Sequence, residues 1–132
     1  MNDISDLEKN IGYKFKDNKY LKIALTHKSY LDEYPDHQSN QRFEFFGDAI
    51  LDFDLTEYLF KKYPDLDEGS LTKIRSSAVN QFYLVKLGRK INIGKYLFLS
   101  KAEESTGGRE KDSILEDALE AHLLLHYISM GD

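Results

Sequence analysis

Between Asn40 and Pro64 the chain carries no proline, and its apolar residues recur at helical spacing along two separate lines. Phe43, Phe46, Ile50 and Phe53 form one line; Leu51, Leu55 and Leu59 form the other. The spacing predicts a long helix from about Gln41 to Lys62, stopped by Pro64. A helix that is apolar on two faces needs neighbours on both, so this one is expected to be central and largely buried. A chain of 132 residues has room for one domain and one core around it.

The rest of the chain also reads as helix. Ile4 to Asn10 is a first helix ending near Gly12, and Asp17 caps a second through Leu25. Tyr30 to Asn40 is polar and reads as a loop. Asp67-Glu68-Gly69-Ser70 is a turn capping a helix from Leu71 to Val79, and a further helix ends at Gly88. Asn92 to Leu99 reads as irregular, with a turn at Gly94, and Thr106-Gly107-Gly108-Arg109 as a mobile loop. A last helix runs from about Lys111 to Ser129. Strand-like alternation is scarce, so the fold class is all-α. The nine tyrosines and eight phenylalanines are expected to be mostly core.

Composition excludes more than it selects. Hydrophobic residues at 41% and charged residues at 31% are those of a soluble globular domain. A net charge of −5 argues against gripping nucleic acid by electrostatics alone. There is no cysteine, hence no disulfide and no thiolate metal site. No run is apolar enough to span a membrane, and the N-terminus lacks a signal-peptide pattern. These features fit a cytoplasmic protein.

The chemistry is carried by two acidic pairs, Glu44 with Asp48 and Asp117 with Glu120. Their i,i+4 and i,i+3 spacings put each pair on one helix face. The first pair continues as Leu51, Leu55 and Leu59, the second as Leu124 and Ile128. No Lys or Arg lies three or four residues from any of the four, whereas Glu57 has Lys61 at i+4. An unpartnered carboxylate near a core either takes up a proton or binds a cation. Clustered carboxylates suit hard cations such as Mg²⁺ or Mn²⁺, which act on phosphoryl groups. Set against this, an acid pair at helical spacing is most often a solvated face, or a seat for a partner's arginine.

Four blocks resemble the ribonuclease III family. Asn40 to Leu51 resembles its NERLEFLGDAVL motif, and Ala24 to Tyr30 its ALTHRSY stretch. Asp67 to Arg75 resembles DEG-x-LTKLR, and Ser113 to Ala121 resembles SILADxxEA. The resemblance implies the family's helical endonuclease fold over residues 1–132. It implies a Mg²⁺-dependent endonuclease for double-stranded RNA, with Mn²⁺ able to substitute. It further implies a homodimer leaving 5'-phosphate and 3'-hydroxyl ends with short 3' overhangs. Glu44, Asp48, Asp117 and Glu120 match the family's metal-binding catalytic acids, Glu68 an accessory acid, and Phe45 an aromatic inserted into the partner subunit. The rival reading is a catalytically inactive, RNA-binding or ribosome-associated scaffold of the same fold.

The chain departs from the family pattern at Gln41, where Glu is frequent, at Glu116, expected to face solvent, and at Leu124, which replaces a glycine. His122 and His126 have the spacing of a metal pair, although a structural role is the better expectation. The family continues with a further helix and a double-stranded RNA-binding domain; neither follows Asp132, so both are expected to be missing. Lys73, Arg75, Lys86, Arg89 and Lys90 read as solvated surface.

Overall fold

The computed structural model describes residues 3–15, 17–78 and 81–130. Seven α-helices occur among them: α1 (Ile4–Ile11), α2 (Asn18–Ala24), α3 (Gln41–Lys62), α4 (Glu68–Ala78), α5 (Gln81–Lys90), α6 (Lys101–Ser105) and α7 (Asp112–Met130). Short 3-10 segments lie at Lys28–Asp32, Ile93–Tyr96 and Gly108–Glu110. The end expected for α4, Val79, lies outside the described residues.

Local chemistry sets the helix ends. The Asp3 carboxylate accepts the Ser5 N–H at 2.9 Å, and Gly12 closes α1 at φ 79°, a conformation costly for any residue with a Cβ. Asp17 accepts the Lys19 N–H at 2.9 Å and opens α2. Asp67 accepts the Ser70 N–H at 2.8 Å. The acidic turn is therefore the cap and first turn of α4, which begins at Glu68 rather than Leu71.

The most buried helix is α7. Ile114, Leu115, Ala118, Leu119, Ala121, Leu124 and Leu125 are all buried, and α2, α3 and α5 pack around them. Leu7, Leu21, Leu25 and Ile93 complete the centre of the core. Each such leucine contributes about 1.5–3 kcal/mol by leaving water. Leu124 is accommodated at 3% exposure, so a side chain fits where the family has glycine.

The long helix α3 has the expected bounds but not the expected burial. Among its residues Gly47, Ile50 and Leu59 are buried, while Phe46, Phe53 and Phe60 are 55%, 65% and 71% exposed. Among the described residues α3 packs mainly against α7 and α4; its leucine line is covered down to buried Leu59, while Phe46, Phe53 and Phe60 on its phenylalanine side stay open. Five of eight phenylalanines (Phe45, Phe46, Phe53, Phe60 and Phe82) are exposed, against the expectation of core.

Other expectations change for non-local reasons. The polar stretch from Tyr30 begins inside a 3-10 turn, with Tyr30 and Tyr34 stacked at 4.5 Å. Gly88 lies inside α5, where an added Cβ would press on Ile93 at 3.3 Å, so it marks a close approach and not a helix end. The glycine stretch before α7 is ordered by Arg109. Its guanidinium donates to the carbonyls of Gly94 (3.0 Å) and Leu97 (2.7 Å) and pairs with Glu104 at 2.7 Å. Arg75 and Arg89 are not idle surface charges: Arg75 ties α4 to Asp52 and Thr56 of α3, and Arg89 ties α5 to Asp112. Phe98 and Thr26 form an isolated parallel bridge. Among the described residues no helix is long and apolar enough to cross a membrane.

Candidate metal centre

The site forms where α3 crosses α7. Gly47 makes the crossing close: a Cβ there would run into the Glu120 carbonyl oxygen. A glycine inside a helix costs about 1 kcal/mol against alanine, so its presence calls for a packing reason. Glu44 precedes Gly47 by a turn and Asp48 follows it. The contact that glycine permits thus brings both beside the acids of α7.

Glu44, Asp117 and Glu120 each offer a carboxylate oxygen within 4.8 Å of the other two. Glu44 and Asp117 are half-buried, and Glu120 is buried at 3% exposure. Burial, then the neighbouring Glu44 and Glu116, pushes the Asp117 carboxyl up to about 6, against a small opposing effect of Lys28. Burial, then Asp48, Glu116, Glu44 and Asp117, pushes Glu120 up to about 8. Among the described residues none of the four acids makes an ion pair with Lys, Arg or His.

This donor set fits a hard divalent cation: all oxygen, crowded and without a basic partner. Its raised proton affinities are those of anions in need of positive charge. Asp48 stands outside the trio and is exposed, although its charge acts on Glu120. Glu68 is exposed at the start of α4 and also outside the trio. Phe45 is 80% exposed. Glu116 does not simply face solvent. It is half-buried, accepts a hydrogen bond from Gln81 Nε2 at 2.7 Å and adds a fifth negative charge near the trio.

His122 and His126 form an aromatic cluster with Tyr13 and Phe15, their own rings 4.9 Å apart. His122 is buried with Nδ1 unpartnered, and burial followed by the neighbouring His126 lowers it to about 4. Among the described residues this pair joins no group of three metal-ligating side chains.

Asn40 opens the motif from Asn40 to Leu51, yet the sequence reading gives it no role of its own. It is 4% exposed, its side-chain amide donates to the Ala24 carbonyl at 3.0 Å, and its N–H donates to the Thr26 carbonyl at 2.8 Å. Its own carbonyl accepts the Glu44 N–H at 2.8 Å. Asn at the start of a long helix is a sequence signal for a cap, but here its side chain reaches another segment.

The profile of a family described as Ribonuclease-III-like matches residues 17–124, a stretch that includes all four acids. Ribonuclease 3 of a Sulfurovum species is 50% identical over 131 residues, 99% of this chain and 57% of that protein. Ribonuclease 3 of a Nitratiruptor species is 48% identical, over 99% of this chain and 56% of that one. The chain thus spans a little over half the length of these relatives. The nuclease domain of ribonuclease III from Campylobacter jejuni superposes with a TM-score of 0.90 at 43% identity, over 98% of this chain and 87% of that one. That structure is described as showing structural flexibility in a region involved in dimer formation. With one all-helical domain matched along nearly its whole length, the chain belongs to the ribonuclease III-like family.

Proposed function

We propose that this domain is a Mg²⁺-dependent endoribonuclease that cuts double-stranded RNA as a homodimer, with Mn²⁺ able to substitute. The observation that carries the reading is the convergence of Glu44, Asp117 and Glu120 within 4.8 Å, without a basic partner. These three carboxylates would hold the cation, with Asp48 as the fourth acid beside them. A bound Mg²⁺ supplies Lewis acidity, making a nucleophile of water at neutral pH and offsetting charge on the leaving oxygen.

The chain's own residues do the rest. Glu120, buried and raised to about 8, would give up its proton under a bound cation's charge and offer it a full negative charge. Gly47 sets the separation of the two helices that carry the acids. In the hydrolysis, a water oxygen bonds to phosphorus as the bond from phosphorus to the 3'-oxygen breaks. The products are a 5'-phosphate and a 3'-hydroxyl, the water's protons ending on the 3'-oxygen and in solvent. Two such sites in a homodimer, each cutting one strand, leave short 3' overhangs. The exposed phenylalanines of α3, Phe45 among them, support an apolar contact with a second copy. Glu68 is proposed as an accessory acid. RNA processing in the cytoplasm belongs to the same reading.

The test is cleavage of an end-labelled RNA duplex with Mg²⁺ by the parent protein and by Glu120→Gln. Cutting by the parent alone is expected. Cutting by both would refute the metal role of Glu120. Cutting by neither, in low salt and at high protein concentration, would favour the scaffold reading.

A further inference from the structure

We propose that Asn40 is a positioning residue for the cation site: it forgoes capping α3 and instead ties the first turn of that helix, which carries Glu44, to the buried segment 24–26. This rests on the reading of Glu44 as a cation ligand.

Asn40 stands at the N-cap of α3, where an asparagine ordinarily turns its side chain onto the N–H groups of the first turn. The cap residues of α1, α2 and α6 do so. Asp3 accepts from the Ser5 N–H, Asp17 from Lys19 and Ser100 from Glu103. Asn40 makes no such bond. Its amide donates instead to the Ala24 carbonyl at 3.0 Å, and its N–H donates to the Thr26 carbonyl at 2.8 Å. Both acceptors belong to the core: Ala24 and Leu25 are fully buried and Thr26 is 4% exposed. Phe98 holds the same segment, donating its N–H to the Leu25 carbonyl at 2.9 Å and accepting the His27 N–H at 3.1 Å.

A first turn that its N-cap side chain leaves unpartnered is prone to fray. Ser39 Oγ reaches the Gln41 N–H at 3.5 Å, a weak substitute. Glu44 belongs to this turn, and its N–H donates to the Asn40 carbonyl at 2.8 Å. Fraying would break that bond and carry the Glu44 carboxylate away from Asp117 and Glu120, which it meets within 4.8 Å. Two bonds from Asn40 to a fixed segment prevent this. Beyond Glu44, Gly47 lies against the Glu120 backbone. Glu44 is thus held between two anchors, one on each side along α3. Partners that stand behind a metal ligand fix its aim, and losing one weakens metal binding by about ten- to a hundredfold.

The experiment begins with the metal-free parent. Hydrogen exchange followed by NMR in EDTA should find the Asn40 and Glu44 backbone amides protected at least about a hundredfold. Exchange there as fast as at a frayed end overturns the proposal, and this arm decides even if a variant does not fold. Mn²⁺ affinity is then read from the electron paramagnetic resonance of free Mn²⁺, at a temperature where circular dichroism shows each protein folded. The proteins are the parent, Asn40→Ser and Asp3→Ala. Serine caps a helix as well as asparagine but is too short to reach Ala24. Asn40→Ser is expected to bind Mn²⁺ about tenfold more weakly and to lose protection at Glu44. Asp3→Ala, which removes the α1 cap, is expected to lower stability and keep the parent's affinity. Equal weakening in both variants overturns the proposal, because lost stability alone would then explain it. A folded Asn40→Ser with the parent's affinity overturns the role of Asn40 and leaves the cation site standing. A folded parent that binds no Mn²⁺ overturns both.

Discussion

Gly47 of α3 lies against the backbone of Glu120 of α7 so closely that a Cβ on Gly47 would strike the Glu120 carbonyl oxygen. The obstacle is helix backbone, which cannot swing aside as a side chain can. Gly47→Ala must therefore push the two helices apart, and with them Glu44 from Asp117 and Glu120. Although alanine favours helix intrinsically, the substitution should destabilise the domain by about 1–3 kcal/mol. It should also weaken Mg²⁺ binding. Thermal unfolding with and without Mg²⁺ reads both effects, and an alanine variant as stable as the parent would contradict the packing described.

The raised acids fix the sign of the pH dependence. Asp117, with an ordinary value of 3.8, is pushed to about 6 in the folded protein, and Glu120, ordinarily 4.5, to about 8. Between those values the folded state holds protons that the unfolded state has lost. Metal-free stability contributed by these groups therefore falls as pH rises from about 4 to about 8 and then levels off. Cation binding requires the deprotonated forms, so the stabilisation added by Mg²⁺ should grow over the same range, with protons released on binding. Melting curves from pH 5 to 9, with EDTA and with Mg²⁺, should converge at the acid end and separate at the alkaline end. Parallel curves would count against these acids as the cation site.

Glu120→Gln separates function from stability. Glutamine keeps the shape of the side chain and removes the charge that burial disfavours. Without metal at pH 8 the variant should melt at or above the parent. With Mg²⁺ it should show little further gain and at least a hundredfold less cleavage, about 3 kcal/mol in activation free energy. A variant that melts well below the parent without metal would mean that the carboxylate serves the fold rather than a cation.

How much of this could be read from the chain varies with the range of the interaction. The bounds of α3 were legible because Pro64 and the apolar spacing are local signals. The meeting of Glu44, Asp117 and Glu120 has a signal in the chain, acids that share lines with leucines rather than lysines, while Asp48, marked by the same signal, stands outside the trio. Gly88 misled because its reason, Ile93 pressing on α5, lies outside the helix. The order around Thr106 to Arg109 was invisible because Arg109 bonds to carbonyls of Gly94 and Leu97, more than ten residues away. Burial of α3 failed most informatively. The phenylalanine line is real, but among the described residues Phe46, Phe53 and Phe60 stay largely uncovered, and a sequence pattern records that a face is apolar without saying whose surface meets it.

That uncovered line gives an oligomer prediction. Phe46, Phe53 and Phe60 recur every seven residues, hence on one side of α3, and all are more than half exposed. In a twofold dimer each substitution acts twice. Removing one buried phenylalanine from each copy costs about 1.5–3 kcal/mol per side, so Phe53→Glu should raise the dimer dissociation constant by at least about a hundredfold. Sedimentation equilibrium reads this directly. A parent that is monomeric at all accessible concentrations would refute the homodimer.

Arg109 should prove a stability residue in a stretch that looks like a loop. Its guanidinium spans two carbonyls, Gly94 at 3.0 Å and Leu97 at 2.7 Å, and its Nε meets Glu104 Oε1 at 2.8 Å. Lysine keeps the charge but not the planar fork, and cannot reach all three acceptors in that geometry. The freed carbonyls lie in a segment next to the buried Ile93, Tyr96 and Leu97, where a lost partner is costly. Arg109→Lys should therefore cost about 1–3 kcal/mol and lower the melting midpoint by several degrees. Lys9→Ala, in an exposed pair with Asp6 at 4.0 Å, should change it by less than about 0.5 kcal/mol. Because Arg109 is not one of the four acids, the stabilisation gained from Mg²⁺ should survive in Arg109→Lys. Losing that gain along with the midpoint would instead place Arg109 among the residues that hold the acid centre together.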